Sequence, residues 1–169
     1  MIYDQARSII KDGDIVFVGG STTSFIDHII AVVTGSPFSH VCIAFWVTVG
    51  GTSRLLCVEA QGGTTRRIVN LSYYSNKDIV VVIPPPSWEI ACDPALSKVA
   101  VASYGWDDAA YVGLSDFLLK RFNIKLPKRN LDNEICSEFV ANVYHLANTC
   151  VSPGDLYKEL EDLGCTKRQ

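Results

Sequence analysis

Three consecutive prolines, Pro84, Pro85 and Pro86, divide the 169-residue chain into halves of different character. Each proline removes a backbone donor and fixes φ, so the run fits neither a helix interior nor a paired strand and favours extended polyproline geometry. Before it lie short β-branched and aromatic runs punctuated by glycine. After it the apolar residues recur at helical spacing. Strands first and helices later predict an α+β fold, an antiparallel sheet packed against helices. Neither half is large enough to stand alone, so the prolines are expected to hinge a single domain spanning 1–169.

In the first half, residues 4–11 can form a short helix, and Gly13-Asp14 leads into a strand at 15–18 closed by Gly19-Gly20. Ser21 to Ser24 offer N-caps for a helix over 25–34, with Gly35 as its stop and Pro37 preventing continuation. Residues 40–49 and 54–59 flank Gly50-Gly51 and predict a hairpin. Further strands are expected at 65–69 and 79–83. In the second half Asp93 and Pro94 read as N-cap and first position of a helix to about 104. Another is expected over 108–122, a third from an Asn133 cap to about 147, and a last from Ser152-Pro153 to about 163.

Lys and Arg total 15 against 18 Asp and Glu, a formal charge of −3 with the signs interspersed. That excludes nucleic acid as the main partner, because phosphate binding needs a concentrated basic surface. The most apolar run, 26–33, is broken by Asp27 and His28 and falls far short of the roughly 20 residues a membrane-spanning helix needs. The N-terminal residues show no signal-peptide pattern, so the expected location is cytoplasmic or within a virion or other larger assembly. Six cysteines occur without a CxxC pair, and are expected as reduced thiols, mostly buried packing residues.

One of them differs in context. Counting from Asn133 puts Cys136 at the third position of its helix, where unpaired amides and the positive end of the helix dipole stabilise a thiolate. It shares an apolar stripe with Phe139, Val140, Val143 and Ala147, so it faces the protein body and also reads as plain core. A thiol nucleophile needs a base. His28 lies mid-helix beside Asp27, and His145 shares a polar face with Glu134, Glu138 and Asn142, so both read as solvated or satisfied. His40 stands where a Gly/Ser/Pro loop meets a strand, a position from which a rigid scaffold presents functional groups.

If Gly50-Gly51 is a two-residue turn, Cys42 faces Glu59 and His40 faces Gln61, all on one side of the sheet. Glu59 is then a diagonal neighbour of His40, able to accept the second imidazole N–H and stabilise an imidazolium. A one-residue change in loop length would turn Glu59 to the other face and leave Gln61 as the orienting group. His40, Cys42 and Glu59 match no zinc signature, and Gln61-Gly62-Gly63 lacks the lysine of a phosphate-binding loop, so neither metal nor cofactor is expected.

Four segments together resemble the circularly permuted NlpC/P60 superfamily of papain-like cysteine enzymes, in particular its YiiX/YebB-like branch. They are Asp12-Gly13-Asp14-Ile15-Val16-Phe17-Val18, Thr34-Gly35-Ser36-Pro37-Phe38-Ser39-His40-Val41-Cys42-Ile43-Ala44, Val58-Glu59-Ala60, and Ile135-Cys136-Ser137-Glu138-Phe139-Val140. Histidine precedes cysteine, the reverse of the usual papain-like order. Ser152-Pro153-Gly154-Asp155 is similar to the family's closing segment. The resemblance implies a permuted papain-like half-barrel, with Cys136 as nucleophile, His40 as base and later acid, and Glu59 as orienting residue. It also implies acyl transfer through a thioester on an amide or peptide bond, cell-wall peptide included. A lipid-ester hydrolase or acyltransferase of the same fold is the alternative, and a non-catalytic binding or structural module of a larger assembly is the rival class.

Overall fold

A computed structural model describes residues 1–19, 35–60, 66–84, 88–97, 99, 135–146 and 152–169. The elements in chain order are α1 (Tyr3–Ile9), β1 (Ile15–Gly19), β2 (Phe38–Val49), β3 (Thr52–Ala60), β4 (Arg66–Asn70), a 3-10 turn (Leu71–Tyr74), β5 (Ile79–Val82), α2 (Trp88–Ser97), α3 (Cys136–Val143) and α4 (Pro153–Asp162). The helices expected over 25–34 and 108–122, the Asn133 cap, and residues His28, Gln61 and Cys150 lie outside the described residues. Among those described, no helix is long and apolar enough to cross a membrane.

The α+β expectation holds, with the strands forming one antiparallel sheet in the order β4-β3-β2-β1-β5. Both faces are covered, which explains why Ile15, Val16, Phe17 and Val18 are all apolar and all buried rather than alternating with polar residues. Ile15, Phe17, Val41, Ile43 and Val58 pack against Ala91 and Ala95 of α2, Phe139 and Val140 of α3, and Leu156 and Leu160 of α4. Val16, Val18, Cys42, Ala44 and Cys57 pack against Ala6 of α1 and Leu71 and Tyr74 of the 3-10 turn.

The β2–β3 hairpin has the expected register, from Val49 opposite Thr52 to Ile43 opposite Val58. Gly50 and Gly51 turn it with φ of 59° and 77°, the doubly left-handed geometry of a type I′ turn. At the other end of β2 the pairing slips. Val18 faces His40 and Gly19 faces Phe38, which leaves Ser39 as an extra residue. Such a bulge adds twist at the start of β2, immediately before His40, which keeps the regular register of the strand.

Two helices depart from the sequence expectation. α2 begins at Trp88, and Pro94 lies inside it rather than at its first position. Pro94 cannot donate to the carbonyl four residues earlier, but the fully buried Ala91 and Ala95 stand one helical turn apart and anchor both sides of the interruption. α3 begins at Cys136 with the extended Ile135 as its cap, so Cys136 is the first helical residue, not the third. Glu138 folds back to accept the Ile135 N–H at 3.0 Å, the backward half of a capping box. Glu138 is therefore buried, not on a solvated face.

α3 stops at Val143, short of 147, because His145 adopts φ 52°. Leu146 N–H then returns to Ala141 C=O at 2.9 Å, the six-to-one bond of a Schellman motif. α4 ends the same way around Gly164, with Cys165 N–H on Leu160 C=O at 2.9 Å. Beyond it the chain returns to β5: Ile83 N–H donates to Thr166 C=O and Arg168 N–H to Val81 C=O, both at 3.0 Å. Arg168 also forms a two-pronged ion pair with the buried Asp14, its Nη2 donating to Oδ1 at 2.8 Å and its Nε to Oδ2. The outer edge of β5 is thereby paired instead of exposed.

At its start α4 is capped by Ser152, whose Oγ accepts the Asp155 N–H at 3.2 Å. Gly154 lies against Ser36, on the loop leading to His40, so closely that a Cβ there would sit 2.4 Å from Ser36 Cβ and Oγ. Gly154→Ala is expected to cost about 1–3 kcal/mol of stability through overpacking. Urea denaturation checks this, and the cost should shrink in a Ser36→Gly background, where the obstructing side chain is gone.

Candidate functional site

Strand alternation and the hairpin register bring His40 and Glu59 to one side of the sheet, and His40 Nε2 lies 3.0 Å from Glu59 Oε2. The imidazole is largely buried and the carboxylate has no exposure at all. A bare carboxylate in such a place would take up a proton. Here burial pushes the Glu59 carboxyl up, but His40 first, then Tyr74 and Arg67, outweigh it and hold the group below the usual carboxylate range. Tyr74 Oη donates to Glu59 Oε2 at 2.5 Å and Arg67 Nε donates to Oε1 at 2.8 Å. The Tyr74 ring also lies against the imidazole, with centroids 5.5 Å apart.

Burial acts against a charged His40 as well. The charge and hydrogen bonding of Cys136, followed by those of Glu59, override it and push His40 up to about 10. Cys136, at the first position of α3, is thus within interaction range of the imidazole. Its amide and those of Ser137 and Glu138 precede the first intrahelical bond, Phe139 N–H to Ile135 C=O at 2.9 Å, so this is the end of the helix that favours negative charge.

The five described cysteines are all free thiols. Cys42 and Cys57 are fully buried, whereas Cys136 keeps 6% of its surface accessible. Cys92 and Cys165 are more exposed, but burial, with Asp93 and Asp12 beside Cys92, still raises both thiols. His145 is exposed in the turn after α3 and takes no part in this arrangement.

Arg67 and Tyr74 were not singled out by the sequence. Arg67 faces Glu59 in the β3–β4 pairing, a register that the Gly62-Gly63 turn signal alone does not specify. Tyr74 arrives through the 3-10 turn that folds β4 back under the sheet. Among the described residues, Cys42, Cys57 and Glu59 also converge, with one ligand-type atom from each lying within 4.8 Å of the others. Burial, then Cys57 and the nearby charges, raise the Cys42 thiol well above its usual value, so it favours the protonated form.

No protein-family model and no curated protein matches the chain. Among solved structures it is similar to the crystal structure of metalloprotein YiiX from Escherichia coli O157:H7, with a TM-score of 0.52 and 21% identity over 81% of this chain. The match covers 66% of the YiiX chain. At that identity the likeness speaks to architecture: the chain shares an α+β fold with YiiX.

Proposed function

We infer that the chain is a cysteine-dependent hydrolase of the permuted papain-like, NlpC/P60 type, forming one catalytic domain and cleaving an amide or peptide bond. The observation that carries this reading is the buried His40–Glu59 pair, Nε2 to Oε2 at 3.0 Å, with Cys136 at a helix N-terminus interacting with the same imidazole. The likeness to YiiX supports the fold required, and the order of histidine before cysteine supports the permutation.

In the proposed reaction the proton rests on His40 and pairs with the Cys136 thiolate. Sγ attacks the substrate carbonyl carbon, and the displaced π electrons form an oxyanion near the Cys136 amide at the start of α3. His40 Nε2 is occupied by Glu59, so Nδ1 gives its proton to the departing amine as the C–N bond breaks, leaving a thioester. Water then attacks the thioester and loses a proton to Nδ1. Expulsion of the thiolate releases the acid and restores the ion pair.

YiiX is described as a metalloprotein, and the trio Cys42, Cys57 and Glu59 is the place among the described residues to ask whether a metal suits this chain. It does not. Both Glu59 oxygens already accept from His40, Tyr74 and Arg67, and the raised Cys42 thiol resists the thiolate form a metal needs. No step of the proposed reaction runs through a metal.

Limiting iodoacetamide at neutral pH is expected to alkylate Cys136 ahead of Cys92 and Cys165, with peptide mass mapping as the readout. His40→Ala should abolish that preference, and uniform labelling of the wild type would favour a non-catalytic module. Peptidoglycan fragments and lipid esters, analysed by product mass, test the substrate class, with amide cleavage expected. On a turned-over substrate, His40→Ala should lower kcat/KM by about 10²- to 10⁴-fold. Because His40 keeps its proton up to about pH 10, hydrolysis should persist through the neutral range and decline as the pH passes that value, where the leaving-group acid is lost.

A further inference from the structure

Glu59 has no exposed surface, yet it meets three donors, more than the orientation of one imidazole requires. His40 and Cys42 approach it from β2, Cys57 from its own strand, Arg67 from β4 and Tyr74 from the 3-10 turn. Cys136 of α3 also acts on His40. Of these groups, only Arg67 and a protonated His40 can bring positive charge. A buried carboxylate with imidazole alone can relax to a neutral pair by moving one proton, and a neutral pair no longer stabilises an imidazolium.

Arg67 closes that route, because its guanidinium stays charged at any working pH and its Nε binds the oxygen that His40 does not use. Tyr74 does a different job. Its hydroxyl donates to the same Oε2 that meets His40, and its ring lies beside the imidazole, tilted by 31°, so one side chain fixes both the aim of the carboxylate and the plane of its partner. Arg67 is braced in turn, its guanidinium 5.3 Å from the centre of the Tyr73 ring.

We propose that Arg67 and Tyr74 are positioning residues that keep Glu59 ionised and aimed at His40, so that the reactivity of Cys136 depends on two side chains that act through Glu59. This rests on the cysteine-hydrolase reading above. The burial and pairing of Glu59 are common to both, but the dependence on Arg67 and Tyr74 is additional and separable from it.

The test uses the full chain and two readouts that a merely structural role would not move: the titration midpoint of the His40 imidazole by NMR, and the pH profile of Cys136 alkylation by iodoacetamide. Arg67→Met is expected to lower the His40 midpoint by about one pH unit, a tenfold change in its proton affinity, and to move the high-pH limb of the Cys136 alkylation profile down by a similar interval. Arg67→Lys, which returns the charge without the fork, should recover part of both. Tyr74→Phe keeps the ring and removes one donor, and should shift both readouts in the same direction. Should Arg67→Met fail to fold, Tyr74→Phe and Arg67→Lys decide between the outcomes. Folded variants with the wild-type midpoint and profile would overturn the proposal while leaving the hydrolase reading intact. Wild-type protein without preferential Cys136 alkylation would instead remove the reading on which the proposal rests.

Discussion

A carboxylate sealed inside a protein is the least forgiving element of this structure. Taking a charge out of water is expensive unless it is paired and hydrogen-bonded, and Glu59 meets that condition only because four segments converge on it. β2 contributes His40, β4 contributes Arg67, the 3-10 turn contributes Tyr74, and β3 holds the carboxylate at its own register position. Losing any one donor leaves the others with a charge they are not arranged to hold. The sheet order, the hairpin and the return after β4 can each be understood as parts of a scaffold for that one anion.

The covering of both sheet faces follows from the same requirement. α1 and the 3-10 turn close the face on which Cys42 and Cys57 lie, excluding water from the Glu59 environment. α3 and α4 close the other face and bring the α3 N-terminus to the His40 end of β2. The tight contact of Gly154 with Ser36 fixes α4 against the loop that delivers His40, which gives the closing Pro-Gly-Asp segment a steric reason.

Local chemistry made much of this legible. Gly50-Gly51 specified a two-residue turn, and the turn fixed a register from which the nearness of His40 and Glu59 followed. Ser152-Pro153 and Gly164 marked the ends of α4 because each performs a local task. What escaped is what tertiary contacts decide. Pro94 looked like a helix start until Ala91 and Ala95 were seen anchoring the turns on either side of it. His145 ends α3 in a left-handed conformation that a histidine does not advertise. The Ser39 bulge and the placement of Tyr74 depend on residues far apart in sequence, for which no spacing rule exists, and the β3–β4 register depends on a loop length that its glycines do not fix.

The hairpin separates chemistry from periphery. His40 and Val49 stand nine residues apart on one strand, about 30 Å at the rise of extended chain, and nothing lies within 4 Å of where a side chain on Gly50 or Gly51 would begin. The turn is therefore a natural attachment point for a fluorophore or an immobilising tag inserted as a flexible loop. A probe there would report on the whole molecule from the end of the sheet remote from the buried anion.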